Sequence, residues 1–263
     1  MNVTWMQTAP AFGEPERNRE LLRERLPAKP GDLILLPELF TTGYLFAERE
    51  QLFRHAETVP NGPTTVLLRE LAAVTGATFV AGIAERDGDA LFNSVVAVSA
   101  DSEPVVYRKR SQTAVDRILF RRGRGETVIE VAGRRLGLLI CFDLWFSELV
   151  HDYAAAGVHG LLHLAAFGGP QTLTVARARA IETNLPVLTC NRCGRESWKG
   201  HDAPYRGRSQ WIDGTGERRW RAGQEEQVET VRVEIPTDPP LLLGVPRDEE
   251  TRAVRALRSI DPA

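Results

Sequence analysis

The 263-residue sequence lacks the features that mark membrane proteins and nucleic-acid-binding proteins. Its formal net charge is −2, so no strong basic excess is present to attract nucleic acid or an anionic membrane. No uninterrupted apolar run reaches the roughly 20 residues that span a bilayer. Residues 1–7 contain no basic stretch followed by an apolar core, so we expect no signal peptide. With 43% hydrophobic residues, the chain has ample material for a globular core.

Cysteine is scarce as well. The chain has three cysteines, an odd number that does not make a disulfide framework, and we expect a protein of the reducing cytoplasm. Cys190 and Cys193 form a single C-x-x-C pair. With no second pair and no nearby histidine ligand, this pair does not predict a zinc site.

Lysine is rare among the basic residues. Of the 33 basic residues only three, Lys29, Lys109 and Lys199, are lysines, and all the others are arginines. A lysine retained in such a chain can mark a place that needs a compact ammonium. Lys29 and Lys199 stand among proline, glycine and polar residues, where chance explains them. Lys109 ends an apolar, strand-like run, and this sets it apart.

An apolar run also ends abruptly at Cys141. Residues 135–140 are typical of a buried strand, and an amphipathic pattern then continues to Gly157, so we predict a strand, a sharp turn and a helix with Asp143 or Ser147 as its N-cap. On such a turn the helix dipole favours a thiolate, and backbone N–H groups can meet an oxyanion. A buried cysteine that only fills space is the alternative, and this stretch alone does not decide between them.

The order of predicted elements indicates an α/β fold. Strands and helices alternate early in the chain and hairpin pairs recur in the middle, which favours a mixed sheet, or two sheets, covered by helices. A late hairpin is predicted between strands at 209–212 and 227–235. No repeat or low-complexity linker divides the chain, so one domain is the simplest interpretation, with a Pro- and Arg-rich tail from Pro236 that extends from the body.

Three reactive side chains each follow directly after an apolar, strand-like segment: Glu38, Lys109 and Cys141. In α/β sheets the carboxyl ends of the strands form the crevice in which ligands bind. There the thiol can attack a carbonyl group, the carboxylate can take the proton, and the ammonium can stabilise the developing oxyanion. This combination is suited to acyl transfer.

A cysteine–histidine pair is the competing arrangement, and the five histidines do not support it. His55 and His201 are predicted to lie in polar loops, and His151 and His159 lie on or beside the helix that follows the cysteine turn. Only His163 stands in an apolar strand, where a hydrogen-bonded core histidine is the usual interpretation.

The same motifs resemble those of a known family, the nitrilase superfamily of carbon–nitrogen hydrolases. Residues 36–40 (LPELF), 107–109 (YRK) and 140–143 (ICFD), with Phe146 and Glu148, are similar to its glutamate, lysine and cysteine motifs. Shorter matches follow in order at residues 61–64, 91–94, 178–182 and 207–209. The resemblance therefore spans nearly the whole chain.

This resemblance implies a four-layer α-β-β-α sandwich, in which two mixed sheets are covered by helices, and dimers that pair into an eight-layered assembly. It also implies a catalytic triad: Glu38 is the general base, Lys109 stabilises the tetrahedral intermediate, and Cys141 forms a thioester. The backbone N–H of Phe142 would complete the oxyanion site. No metal or organic cofactor is implied.

The chain departs from the family pattern near the predicted site. Many relatives carry a second glutamate shortly after the lysine, and here Asp116, one methylene shorter, occupies that place as a further candidate catalytic residue. The other departures are Ser111 and Gln112 for a frequent His-Leu, Trp145 for a frequent arginine, Ser147 for a frequent proline, and His163 for a frequent asparagine.

We expect a hydrolase of non-peptide carbon–nitrogen bonds, specifically an amidase that converts a small carboxamide to acid and ammonia. The candidate substrate-binding residues are Tyr44, Phe142, Trp145, Ala166 and Phe167. Core packing is the alternative role for the aromatic residues, but an apolar pocket lining favours an aliphatic or aromatic amide. Nitrilase and N-carbamoyl amidohydrolase activities, which use the same nucleophile, stay open, as does a ligand-binding protein without catalysis.

The expected organisation is a hydrolase domain over residues 1–240, with residues 241–263 as an extended tail that packs on the body or on a partner subunit. We expect a homodimer or a higher homo-oligomer that acts on a small molecule, with no nucleic-acid or membrane partner.

Overall fold

The apolar runs of the sequence become the strands of mixed sheets. The computed structural model describes residues 1–198, 200–238, 241–242 and 244–257. Lys199, residues 239–240, and residues 243 and 258–263 of the predicted tail therefore lie outside the described residues. The strands are β1 Asn2–Gln7, β2 Leu33–Leu35, β3 Thr78–Asp87, β4 Ala90–Val98, β5 Val105–Arg108, β6 Val128–Val131, β7 Arg134–Ile140, β8 Gly160–Ala165, β9 Val187–Asn191, β10 Cys193–Trp198, β11 His201–Arg206, β12 Gln210–Ile212, β13 Arg218–Arg221, β14 Gln227–Arg232, β15 Leu241–Leu242 and β16 Val245–Pro246.

Some of the helices begin and end at clear local sequence signals. They are α1 Pro15–Arg25, α2 Arg49–His55, α3 Pro63–Thr75, α4 Ala114–Leu119, α5 Ser147–Ala155, α6 Gln171–Thr183 and α7 Arg247–Leu257, with a short 3-10 helix at Cys141–Trp145. Helix α3, for example, has a proline in its first turn and ends at Gly76, whose φ of 71° is the left-handed conformation common at helix C-termini. None of the described helices combines the length and the apolarity needed to cross a membrane.

Within the described residues, the main strands form two six-stranded sheets, in the orders β14-β1-β2-β3-β4-β5 and β13-β12-β9-β8-β7-β6. Each sheet has a parallel centre, β1-β2-β3 in the first and β7-β8-β9 in the second. Strands β4 and β5 are each antiparallel to the strand before them, so β5 runs in the same direction as β2. The carboxyl ends of β2 and β5 therefore lie at the same edge of the first sheet.

The two sheets face each other across an apolar layer, and helices cover their outer faces. In β2, Leu33 and Leu35 point into the layer between the sheets, whereas Ile34 points outward into the layer that contains Leu22 of α1 and Leu68 of α3. On the second sheet, Leu139 packs outward in the same way in the layer that contains α5 and α6. Both faces of these strands are buried, which explains their continuous apolar runs. Each fully buried leucine contributes on the order of 2 kcal/mol to stability. The predicted four-layer α-β-β-α sandwich is confirmed.

The predicted late hairpin is wrong. Strand β12 pairs with β13, whereas β14 belongs to the first sheet and pairs antiparallel with β1. Strand β13 reads Arg-Arg-Trp-Arg and carries almost no strand signal in the sequence. Its Trp220 ring lies 4.5 Å from the ring of Trp5, so its single apolar side chain packs against the layer between the sheets.

Two further expectations need correction. The tail predicted to be extended contains helix α7, and Arg255 on this helix donates a hydrogen bond of 2.7 Å to Asp152 on α5. The division of the chain at residue 240 stays a prediction. His55 and His201 do not lie in polar loops, because His55 ends α2 and His201 begins β11.

Candidate functional site

The ends of β2, β5 and β7 bring Glu38, Lys109 and Cys141 together. Lys109 Nζ lies 2.8 Å from Glu38 Oε1, although 71 residues separate the two in sequence. Cys141 follows β7 on the facing sheet, and Asp143, two residues later, accepts hydrogen bonds from the backbone N–H groups of Arg110 and Ser111, directly after Lys109. Glu38 and Lys109 are buried, whereas Cys141 is partly exposed. The convergence predicted from the strand ends is therefore present.

Lys109 is held by two carboxylates. Its Nζ donates to Glu38 Oε1 and to Asp116 Oδ2, each at 2.8 Å. The ring of Tyr44 lies 5.7 Å from the same nitrogen. Burial tends to lower the pKa of Lys109, but the negative charge of Glu38, together with Asp116, outweighs burial and holds this pKa well above its usual value. Lys109 is therefore a fixed positive charge.

Glu38 has one engaged oxygen and one free oxygen. Its Oε1 accepts hydrogen bonds from Lys109 and, at 2.7 Å, from Asn93 Nδ2. Its Oε2 is buried and has no hydrogen-bond partner among the described residues. Burial raises the pKa of Glu38, and the charge of Lys109 opposes this rise. A carboxylate with a free oxygen and a raised pKa is suited to accept a proton.

The backbone at Glu38 depends on a glycine in the neighbouring strand. A Cβ at Gly82 of β3 would lie 2.5 Å from Glu38 Cα and 2.5 Å from the carbonyl oxygen of Pro37. Both are backbone atoms and cannot move aside as a flexible side chain would. Glycine therefore allows β3 to approach the chain where it leaves β2.

Asp116 reaches the site despite its shorter side chain. It lies in the first turn of α4, where its Oδ2 accepts from the backbone N–H of Thr113 at 2.9 Å and its own N–H donates to Thr113 Oγ1 at 3.2 Å. Its Oδ1 accepts from the Tyr44 hydroxyl at 2.9 Å. Burial alone would raise the pKa of Asp116, but the ion pair with Lys109 outweighs burial and lowers it. The N-terminus of a short helix thus places an ionised carboxylate beside the lysine.

Cys141 adopts a left-handed backbone conformation, with φ of 44°, where β7 ends. His163 on β8 fixes this turn, because its Nε2 lies 3.0 Å from the Cys141 carbonyl oxygen and its Nδ1 lies 3.1 Å from Thr189 Oγ1. A carbonyl can only accept, so Nε2 donates and Nδ1 accepts from the threonine hydroxyl. Burial lowers the pKa of His163 to about 4, so the ring is neutral. The interpretation as a hydrogen-bonded core histidine is confirmed.

Burial opposes the thiolate that a helix dipole would favour at Cys141. Burial raises the pKa of the Cys141 thiol far above its usual range, and the charge of Glu38 adds to the rise. Lys109 and the backbone N–H of Ala166 act in the opposite direction but do not outweigh it. The segment that follows the cysteine is a short 3-10 helix, and α5 begins only at Ser147. The thiol is therefore protonated at neutral pH and needs a base.

Neither residue predicted as N-cap has that role. The N-cap position of α5 is Phe146, with no side-chain cap, and Ser147 is the first helical residue. Asp143 lies inside the 3-10 helix, and its carboxylate accepts hydrogen bonds from Ile140 and from the segment that follows Lys109.

The candidate substrate-binding residues differ in their surroundings. Tyr44 and Phe167 are buried, and the Tyr44 hydroxyl is committed to Asp116 and to Thr113. Phe142 and Ala166 are partly buried, while Trp145 is 40% exposed. The ring of Phe142 lies 5.9 Å from that of Trp145. Helix α6 fixes Trp145, because Trp145 Nε1 donates to Thr172 Oγ1 at 3.3 Å.

Other residues near the site were missed in the sequence. Asn93 donates to Glu38 at 2.7 Å, and its signal was an amide side chain within the mostly apolar strand β4. Glu196 accepts hydrogen bonds of 3.0 Å from the backbone N–H groups of Tyr44 and Leu45. It also forms a fully buried ion pair with Arg192. No local signal indicated this pair, because the polar hairpin β10–β11 was not predicted.

A cluster of arginines that follows α4, Arg121, Arg122 and Arg124, lies apart from Glu38, Lys109 and Cys141. With Arg108 they line a groove of about 710 Å³ to which Glu38, Lys109 and Cys141 do not contribute. In the part of the chain that the structure describes, no group of three His, Cys, Asp or Glu side chains is arranged to hold a metal ion.

Residues 17–237 match the family model described as carbon-nitrogen hydrolase. The chain belongs to this family. The resemblance seen in the motifs is thus confirmed, and the chain is a carbon–nitrogen hydrolase enzyme.

Several relatives of this carbon–nitrogen hydrolase have names that describe different reactions. It is 34% identical over 200 residues to a nitrilase of Pyrococcus abyssi, and the match covers 74% of this chain and 76% of that protein. It is 32% identical to a chloroplastic omega-amidase of Arabidopsis thaliana, covering 68% of this chain and 53% of that protein. It is 30% identical to an N-carbamoylputrescine amidase of Solanum lycopersicum, covering 64% of this chain and 62% of that protein.

Solved structures agree on the fold. A CN-hydrolase superfamily protein of Xanthomonas campestris, with an arsenic adduct in its active site, has a TM-score of 0.78 and 25% identity, and the match covers 100% of this chain and 98% of that chain. An amidase of Nesterenkonia sp. AN1, with acrylamide added to its active-site cysteine, has a TM-score of 0.75 and 22% identity, covering 99% of this chain and 100% of that chain.

Proposed function

We propose that this carbon–nitrogen hydrolase is an amidase that converts a small carboxamide to acid and ammonia through a thioester on Cys141. The observation that carries the proposal is the free oxygen of Glu38. A buried carboxylate oxygen with no partner among the described residues lies in a cluster that also contains a protonated thiol and a fixed ammonium. This arrangement supplies a base, a nucleophile and an oxyanion stabiliser in one place.

Acylation follows from this geometry. As Sγ attacks the carbonyl carbon of the amide, Glu38 Oε2 takes the thiol proton. The negative charge that develops on the carbonyl oxygen is stabilised by the Lys109 ammonium and by the backbone N–H of Phe142. Glu38 then gives its proton to the departing nitrogen, the carbon–nitrogen bond breaks, and ammonia leaves. The product is a Cys141 thioester.

Deacylation repeats these roles with water as the nucleophile. Glu38 removes a proton from water as its oxygen attacks the thioester carbonyl. The carbon–sulfur bond then breaks, the proton returns to Cys141, and the carboxylic acid leaves. Asp116 contributes by holding Lys109 in place and in its charged state, since it is the second carboxylate on Nζ.

We infer an aliphatic or aromatic acyl group from the candidate substrate-binding residues. Tyr44, Phe142, Trp145 and Phe167 present mainly rings, and the Tyr44 hydroxyl is already engaged by Asp116. Such a lining binds an apolar group better than a charged one. Nitrile hydrolysis and N-carbamoyl hydrolysis are second candidates, because relatives carry names for both reactions.

A product analysis separates these possibilities. The enzyme is incubated with small carboxamides, the matching nitriles and N-carbamoyl amines, and acid, ammonia and carbon dioxide are measured. An amidase acts on the amides, whereas a carbamoylase also releases carbon dioxide. Intact mass reports the acyl adduct, which Cys141→Ala must abolish. If no compound gives turnover or adduct, and Cys141→Ala binds ligands like the wild type, the chain is a binding protein and the proposal is wrong.

We also propose a homodimer or a higher homo-oligomer in a reducing compartment, with small molecules as its only partners. The dimer rests on the family resemblance, and the compartment rests on the three cysteines, all of which are unpaired. Light scattering coupled to size-exclusion chromatography tests the first point. A monomer at all concentrations would contradict it.

A further inference from the structure

Asp143 is completely buried two residues after Cys141, and both of its carboxylate oxygens are used. Oδ1 accepts from the backbone N–H groups of Arg110 at 3.2 Å and Ser111 at 2.7 Å. Oδ2 accepts from the Ile140 backbone N–H at 3.1 Å and from the Tyr107 hydroxyl at 2.8 Å. Four donors therefore converge on one carboxylate.

The positions of these donors connect the two halves of the site. Tyr107, Arg110 and Ser111 flank Lys109 in the segment that leaves the first sheet. Ile140 and Asp143 itself flank Cys141 on the second sheet. The layer between the sheets is largely apolar, and apolar packing is not directional. The Asp143 carboxylate supplies a directional link between the lysine segment and the cysteine turn.

We propose that Asp143 is a positioning residue that sets the placement of Lys109 relative to Cys141. The proposal rests on the amidase function proposed above, because attack of Cys141 on a carbonyl requires the ammonium at a defined distance from that carbonyl. A displacement of about 1 Å in such an arrangement can cost about 100-fold in rate.

Only a carboxylate satisfies all four donors. Each carboxylate oxygen accepts two hydrogen bonds, whereas an asparagine in the same place would turn an NH₂ group toward two donors. Burial raises the pKa of Asp143, while the charge of Lys109 and the N–H of Ser111 oppose this rise. Asp143→Asn therefore disrupts one pair of contacts and leaves the side-chain volume almost unchanged.

Asp143 could make the same contacts and only stabilise the fold, so the test must separate an effect on stability from an effect on the placement of Lys109. Asp152→Asn is a matched control, because Asp152 is an aspartate that binds the same segment through the Arg110 side chain, at 3.1 Å, and is 27% exposed. It leaves the backbone contacts of Arg110 and Ser111 intact. Tyr107→Phe removes one donor and serves as the milder variant if Asp143→Asn does not fold.

Two readouts are compared below the melting temperature of each variant. The kinetic readout is kcat and KM for an amide, next to the rate at which iodoacetamide alkylates Cys141. Alkylation forms no oxyanion, so it depends on Lys109 only through the charge that lowers the pKa of the thiol. We expect Asp143→Asn to lower kcat about 100-fold with a KM change below about threefold, and to lower the alkylation rate by a much smaller factor. Tyr107→Phe should lower kcat by less, and Asp152→Asn should match the wild type.

The second readout does not depend on activity. Hydrogen exchange followed by mass spectrometry should show residues 107–112 and 140–146 losing protection together in Asp143→Asn, and neither doing so in Asp152→Asn. If the two segments lose protection independently of each other, or not at all, Asp143 does not link them. If they lose protection together while kcat is unchanged, Asp143 only stabilises the structure and does not position Lys109. If the wild type hydrolyses no substrate, the proposed function fails, and the exchange data alone then decide whether the link exists.

Discussion

The ammonium of Lys109 donates a hydrogen bond of 2.8 Å to the carboxylate of Asp116. The shorter acid reaches the lysine because α4 begins beside it and the Thr113 N-cap orients the aspartate. The lysine is thus buried between two carboxylates, which offset the cost of burying its charge. This contact gives Asp116 a testable part in the mechanism.

Asp116→Asn should lower kcat at least about tenfold, because Lys109 would keep a single carboxylate and a less fixed position. The amide preserves the size of the side chain, so the fold should persist by circular dichroism. Steady-state kinetics on the best amide of the panel measure the effect. Activity within twofold of the wild type would show that Asp116 has no part in catalysis.

Lys109→Arg should abolish activity without unfolding the protein. A guanidinium is planar and wider than an ammonium and cannot occupy the same point between two carboxylates. Lys29→Arg is the matched control, since Lys29 is exposed and distant in sequence from the motifs. Both variants are compared by kcat/KM and thermal melting. Activity of Lys109→Arg within a few-fold of the wild type would contradict the role of a fixed point charge.

His163 should make stability depend on pH in a predictable direction. Its pKa is about 4 in the folded chain, against an ordinary value of 6.5, so below pH 6.5 the unfolded chain binds a proton that the folded chain does not. Stability therefore falls as pH drops from about 6.5 to 4, by about 3 kcal/mol in total from this group.

Urea unfolding of the wild type and of His163→Asn across this range measures that contribution. Asparagine can still donate to the Cys141 carbonyl but does not titrate. The difference in unfolding free energy between the two proteins should shrink as pH falls. His55→Asn controls for loss of a histidine elsewhere, and a pH-independent difference for His163→Asn would refute the prediction.

Glu196→Gln should lower the unfolding free energy by about 3 kcal/mol, because it leaves the buried Arg192 guanidinium without its counter-charge. Asp202→Asn in the same hairpin breaks the pair with Arg195, whose two side chains are 59% and 48% exposed. Loss of that exposed pair should lower the unfolding free energy by less than about 1 kcal/mol. Denaturant titration of both variants checks the contrast, and equal effects would argue against it.

The sequence predicted the parts of the site that follow from periodicity and strand ends. Glu38 and Lys109 meet because β2 and β5 run in the same direction in one sheet, and Cys141 follows β7 of the facing sheet in the same way. The raised pKa of the Cys141 thiol was not predicted, because it comes mainly from burial, a property of the folded chain. Burial of this kind cannot be read from neighbouring residues.

The missed elements share a physical cause. Strand β13 is mostly arginine, so its pairing depends on the single ring of Trp220 against Trp5. Hairpin β10–β11 is polar, and its Glu196 finds its partners at Tyr44 and Leu45, about 150 residues earlier in the chain. Such contacts are long-range and leave no local periodicity. The four-layer arrangement was predicted more easily because each central strand carries its own apolar run.

The pairing of β1 with β14 has a consequence for synthesis on the ribosome. Strand β1 emerges long before the partner for one of its edges, which lies at residues 227–232. Until β14 has been made, that edge therefore exposes unpaired N–H and C=O groups, which can pair with other chains. The nascent protein closes this side of its first sheet only after all the strands of the second sheet have been made.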